Sequence, residues 1–140
     1  VNLNFENVPI LWSSKLQSEI SLSTLEVEYI ALSQGMRDLA SARRLLRELG
    51  EGMNYKLMNT SRISKVRGDN TGTQNLANSK GPLMTSCTKH IAIKYHWFRS
   101  MIGPKIEILR IDTYEQRADI FTEGLTRFLF EKERKLVSGW

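Results

Sequence analysis

One cysteine, Cys87, stands among 140 residues. A lone thiol excludes an internal disulfide framework and any zinc site built on clustered cysteines. It points to a reducing, intracellular compartment. Long apolar runs are missing too. None approaches the ~18–20 residues that span a bilayer, so no membrane segment is expected. No basic stretch leads into an apolar one, so there is no secretory signal pattern. Proline is scarce, and no repeat, low-complexity tract or Gly/Ser/Pro linker interrupts the chain. A single domain over residues 1–140 is the expectation. An initiator methionine is absent: Val1 leads straight into a strand-like alternation, as in a piece cut from a longer protein.

What is present is an ordinary soluble composition with a basic balance, 20 Lys+Arg against 15 Asp+Glu. A net charge of +5 suits a polyanionic partner, and it equally suits plain solubility.

The patterning alternates between strand and helix. VNLNF alternates apolar and polar, and PILWSS follows after a short gap, as a hairpin or a bulged strand would. Ile20 and Leu22 suggest a third short strand. A long helix is expected from about Ser23 to Leu49, stopping at Gly50. Ile63 to Val66 reads as a strand ending just before GDN, and Thr71 to Ala77 as a helix. Ile91, Tyr95, Phe98 and Ile102 fall at helical spacing, closed by Gly103-Pro104. In KIEILRID, apolar residues lie on both faces, which predicts a buried strand. Thr113-Tyr114-Glu115-Gln116 fits a capping box opening another helix, and FLFEKERKLVSGW an amphipathic one with a basic side. The order predicts an α/β layer fold with a mixed sheet.

SLSTLEVEYIALSQ carries two glutamates two residues apart. On a helical wheel, Leu25, Leu32, Met36, Leu39 and Leu46 form one stripe, and Glu28 falls inside it. Glu26 falls opposite, completing a capping box with Ser23. A carboxylate in an apolar seam must be paired, metal-bound or neutralised. Otherwise it reaches water near the first turn, where the helix dipole favours it. Asp69 follows a short strand and precedes a helix, at the end of a strand where open α/β sheets place ligands. Gly68-Asp69-Asn70 is also good turn chemistry. Asp119 lies at the start of the helix after the best strand.

Basic residues Lys89, His90, Lys94, His96 and Arg99 surround the Ile91–Ile102 segment, as phosphate contacts or as a solvated face. Tyr95, Trp97 and Phe98 are read as core. His90 and His96 lack a third partner at metal-ligand spacing, so zinc is not expected. Arg43, Arg44 and Arg47 read as helix surface. Trp12-Ser13-Ser14-Lys15 lies at a strand end.

Four blocks, LWSSKLQSEISLSTLEVEYIALSQGMRDL, GDNTGTQNLAN, TKHIAIKYHWFRS and IEILRIDTYEQRADIFTEGL, together resemble the ribonuclease H domain of copia-type retrotransposon Pol polyproteins. The family pattern runs close to WSSKxQ…SLSxxEAEYxAL, DNQxA, KHIxxxYHxxR and EQxADxxTKxL. The resemblance implies a ribonuclease H-like mixed sheet flanked by helices. It implies two-metal hydrolysis of the RNA strand in RNA–DNA hybrids during reverse transcription, with Glu28, Asp69 and Asp119 as catalytic metal ligands for two Mg²⁺ ions, Mn²⁺ being the alternative. Lys89, His90, Lys94 and Arg99 become the hybrid-binding set. A reverse transcriptase domain lies upstream in the family, and the location is cytoplasmic, in retroelement particles, or nuclear. The family's fourth carboxylate, an aspartate on a first, central strand, lies upstream of WSSK, where this chain offers only Glu6. That strand is expected to be missing and the chain alone to be inactive or nearly so. LEVEY in place of EAEY, GDNTGT in place of a DNQGA-like run, and TEGL with glutamate for lysine look like drift. The alternatives are a non-catalytic nucleic-acid-binding remnant and a functionless retroelement fragment.

Overall fold

The computed structural model describes residues 2–5, 8–18, 20–53, 63–79, 95–121 and 123–138. Helices and strands alternate, giving a mixed α/β protein. The chain divides into two compact units, one of Glu19–Arg110 and one of Val1–Ser18 with Ile111–Trp140.

In the first of these, α1 (Thr24–Gly52) is the long helix the sequence predicts. Its start is chemically fixed. The Ser23 hydroxyl accepts from the Glu26 amide at 3.2 Å, and the Glu26 carboxylate accepts from the Leu22 amide at 2.8 Å. The first bond satisfies a first-turn amide, as in a capping box, while the Glu26 carboxylate reaches past the N-cap to the amide before it. The helix passes through Gly50 and runs to Gly52, with Met53 as its C-cap, beyond the expected stop. A glycine weakens a helix by only about 1 kcal/mol, and without another break the ladder continues. Strands β3 (Ser64–Gly68) and β4 (Ile106–Arg110) pair in parallel, Ser64 opposite Ile106 and Gly68 opposite Arg110. Between them lies α2 (Thr71–Asn78), opened by the Asn70 side chain accepting from the Thr73 amide at 3.0 Å.

The core gathers on one side of β3–β4: Tyr29, Ile30 and Met36 from α1, Leu76 and Ala77 from α2, then Tyr95, Phe98 and Ile106. Val66 and Ile108, a matched cross-strand pair, lean against it. The opposite face carries the exposed Lys65, Arg67 and Glu107 beside a half-buried Leu109, so β4 is covered on that face only in part. Gly72 lets α2 approach α1, since a Cβ there would stand 2.8 Å from the Leu25 side chain.

Three further readings are corrected. Ile20 and Leu22 form no strand and are exposed; two apolar residues flanking Ser21 offer no partner strand with ladder bonds. Trp97–Met101 is a 3-10 helix rather than the expected α-helix, and it turns out through Gly103 at φ +91°. Residues 91–94 lie outside the described residues. Beyond β4, Thr113–Glu115 and Arg117–Phe121 are 3-10 turns, not an α-helix. Asp112, rather than Thr113, provides the cap, its side chain accepting from the Tyr114 amide at 3.2 Å.

The other unit holds the antiparallel hairpin β1 (Asn2–Phe5) and β2 (Val8–Trp12), with a register irregularity between Leu3 and Asn4. It also holds the two 3-10 turns and the amphipathic α3 (Arg127–Ser138), which packs against Arg117–Phe121. Ser14 donates to the Phe121 carbonyl at 3.1 Å, anchoring the stretch after the hairpin. Among the described residues, no helix is long and apolar enough to cross a membrane.

Candidate functional site

The two glutamates of α1 occupy the reverse of the places the wheel assigns. Glu26 is buried, at 8% exposure, and Glu28 is exposed. The buried seam runs through Glu26, Tyr29, Ile30, Ser33 and Met36, with Leu25, Leu32 and Leu39 only partly covered. It is turned by roughly 100°, one residue's step, from the leucine stripe. Two polar residues cause the turn. Ser33 is fully buried because the Trp97 indole N–H donates to its hydroxyl at 3.1 Å. Tyr29 is fully buried with its phenol oxygen 2.8 Å from His96 Nδ1. Sealed polar groups with partners are tolerated in a core. A wheel that counts only leucines overlooks them. The signal was available in part, since Tyr29 falls at i+4 from Leu25. Nothing in the sequence names His96 as its partner, or Trp97 as that of Ser33.

Glu26 is thus a capping residue, as the sequence predicts, and its carboxylate is committed to the Leu22 amide. Glu28 projects from the first turns of α1 with its side chain reachable. Asp69 sits half-buried in the bend after Gly68, at the C-terminal ends of β3 and β4, where Gly68 faces Arg110. The loop is held by the Gln74 side chain donating to the Gly68 carbonyl at 2.6 Å. Asp119 is half-buried in the turn Arg117–Phe121 of the other unit, its amide donating to Gln116 and its carbonyl accepting from Glu123. Among the described residues, no group of three or more His, Cys, Asp or Glu side chains is placed to hold a metal ion. A Mg²⁺ centre wants several oxygen donors at once, and the described residues do not assemble them.

Of the basic set, Lys89, His90 and Lys94 lie outside the described residues. Arg99 is half-buried, and its Nε is enclosed without a hydrogen-bond partner. Tyr95 and Phe98 are core, as read from the sequence, whereas Trp97 is 37% exposed. Burial pushes the Tyr29 phenol pKa up to about 12, against the opposing pull of the Arg99 charge. Arg44 and Arg47 are helix surface facing Glu48 and Glu51. Arg43 is not: it is half-buried and donates to the Ser64 hydroxyl of β3.

No protein-family model matches the chain, and no solved structure does. Curated proteins do. The chain is 34% identical over 134 residues, 95% of its length, to the retrovirus-related Pol polyprotein from transposon TNT 1-94 of Nicotiana tabacum. It is 32% identical over 124 residues, 88% of its length, to those from transposons RE1 and RE2 of Arabidopsis thaliana. It spans only 9% of the first relative and 8% of the other two. Relatives of this chain are therefore retrovirus-related Pol polyproteins of plant transposons, each matched over a short stretch, and these matches support a retroelement origin.

Proposed function

We propose that this chain is a ribonuclease H-type segment of a copia-type Pol polyprotein, with a ribonuclease H-like fold. The property it carries by itself is binding an RNA–DNA hybrid without cutting it. The observation that carries this reading is the homology over 134 of 140 residues, a length that takes in all four sequence blocks. The resemblance would make Glu28, Asp69 and Asp119 oxygen donors toward Mg²⁺ or Mn²⁺. When bound, a pair of such ions supplies an activated water and steadies a leaving oxygen. Because the described residues gather no group of three donors, no hydrolytic step is derived for the chain alone.

Binding needs less. A basic protein with pI ≈ 9.5 releases counterions from a phosphate backbone and gains affinity without reading bases. Arg99, with Lys89, His90 and Lys94, supplies those contacts. The polyprotein's reverse transcriptase is the partner that generates the hybrid.

The test is a labelled RNA–DNA hybrid mixed with the protein, first with Mg²⁺ and then with chelator. Shifted, uncut hybrid is expected, with affinity falling steeply as salt rises. Mg²⁺-dependent cutting that Glu28→Gln abolishes would replace this reading with that of an active nuclease. Failure to bind hybrid even at low salt would sink both.

A further inference from the structure

We infer that Tyr29 and Ser33 are positioning residues for nucleic-acid contact: they clamp the segment Tyr95–Met101 onto α1 and fix which nitrogen of His96 carries the proton. The inference rests on the hybrid-binding reading above for its purpose, though not for its geometry.

Tyr29 and Ser33 are four residues apart, on one side of α1, and both are fully buried. Their partners are consecutive: His96 for Tyr29 and Trp97 for Ser33, 67 and 64 residues away in the chain. The indole N–H only donates, so the Ser33 oxygen accepts. The Tyr29 hydroxyl hydrogen, sealed from water, needs an acceptor too. His96 Nδ1, at 2.8 Å, is the one it meets. Were Nδ1 protonated, that hydrogen would be stranded. The neutral ring therefore carries its hydrogen on Nε2. Ring packing adds to the clamp, with Tyr29 centroids 5.1 Å from His96 and 5.6 Å from Phe98.

Arg99 inherits this order. Its amide donates to the His96 carbonyl at 3.1 Å, so the two residues are locked one 3-10 turn apart. In that geometry, residues three apart share a face. The enclosed Arg99 Nε has no hydrogen-bond partner among the described residues. The phosphate contact of Arg99, in the hybrid-binding reading above, falls to the rest of the guanidinium, since Nε itself is enclosed. The clamp holds the guanidinium in register with the helix that carries Glu28.

Four variants of the full chain test this. Asn at position 96 keeps an acceptor where Nδ1 stands, whereas Gln reproduces only the Nε2 end. His96→Asn should bind hybrid within about twofold of wild type, while His96→Gln and Tyr29→Phe should bind roughly three- to tenfold more weakly. In the free protein, ¹⁵N NMR at mildly alkaline pH should show His96 protonated at Nε2, with Tyr29→Phe shifting it toward a tautomer mixture. Ser33→Ala should move the Trp97 indole N–H resonance and weaken binding by a similar factor. A wild-type His96 protonated at Nδ1, or a Tyr29→Phe protein that binds as tightly as wild type, would overturn the inference. Should wild type bind no hybrid at all, the functional reading fails, and the NMR still decides on the clamp.

Discussion

The two units of this chain use their apolar residues differently. In Glu19–Arg110, α1 and α2 stand on one face of a parallel strand pair, and a continuous core forms through Tyr29, Met36, Phe98 and Ile106. In the unit made of both chain ends, Val137 and Glu133 are the buried side chains among the described residues, and one of them is a carboxylate. Val8, Trp12 and Phe128 there are more than half exposed. Apolar content alone does not make a core. A core needs two layers that cover each other, and a lone two-stranded hairpin is marginal in water. The likeness to Pol polyproteins runs through both units all the same.

The sharpest way to break this contrast is to remove one large ring from each unit. Phe98→Ala empties a fully buried site and should cost about 3–5 kcal/mol in chemical denaturation. Trp12→Ala, at a residue 58% exposed, should stay within about 0.5 kcal/mol. Equal losses would mean that the hairpin is as well packed as the core.

A second change should narrow the gap from the other side. Glu133 is 4% exposed, and its Oε2 has no hydrogen-bond partner among the described residues. Lys132 reaches only the other oxygen, at 3.7 Å. Replacing a buried, incompletely paired carboxylate with an apolar group of similar size removes a desolvation penalty. Glu133→Leu should therefore raise stability by roughly 1–3 kcal/mol. A loss on the same denaturation curve would show that the carboxylate has a partner that matters.

Inside the better-packed unit, Tyr29 offers a pH test. Its pKa, ordinarily 10, is pushed up to about 12 by burial. Between those values the folded state binds more protons than the unfolded one, so stability falls as pH rises. The phenol's contribution is complete below pH 10 and lost as pH climbs through about 12. Tyr29→Phe should cost about 0.5–1.5 kcal/mol at neutral pH. It should also flatten the alkaline slope relative to wild type. An unchanged slope would mean that the phenol is not sealed.

Much of this fold was readable in the sequence, and the failures share a cause. Ser23 and Glu26 announce the start of α1, and Ile106 and Ile108 the strand β4. Each rests on local chemistry. The 3-10 turns at Trp97–Met101 and Arg117–Phe121 were read as helices because apolar spacing near 3.6 hardly differs from 3 over five residues. The seam of α1 was misplaced because Tyr29 and Ser33 are buried by partners more than sixty residues away. As for the candidate site, the strand-end position of Asp69 was legible, as was the capping role of Glu26. The sequence carried no sign that the described acids gather no metal-holding group.

The smallest effect repeats the contrast between the units within a single turn of helix. Glu26 is covered and holds the Leu22 amide, whereas Glu28, two residues on, is exposed. Glu26→Ala removes the bond to the Leu22 amide and should cost about 1 kcal/mol. Glu28→Gln leaves the cap intact and changes an exposed side chain near the helix start, so its stability change should stay within about 0.5 kcal/mol. The pair separates a carboxylate that builds the helix from one that the helix presents. If Glu28→Gln proved the costlier in denaturation, the leucine stripe would mark the true seam. Glu28 would then lie in the seam, where its carboxylate must be paired, metal-bound or neutralised.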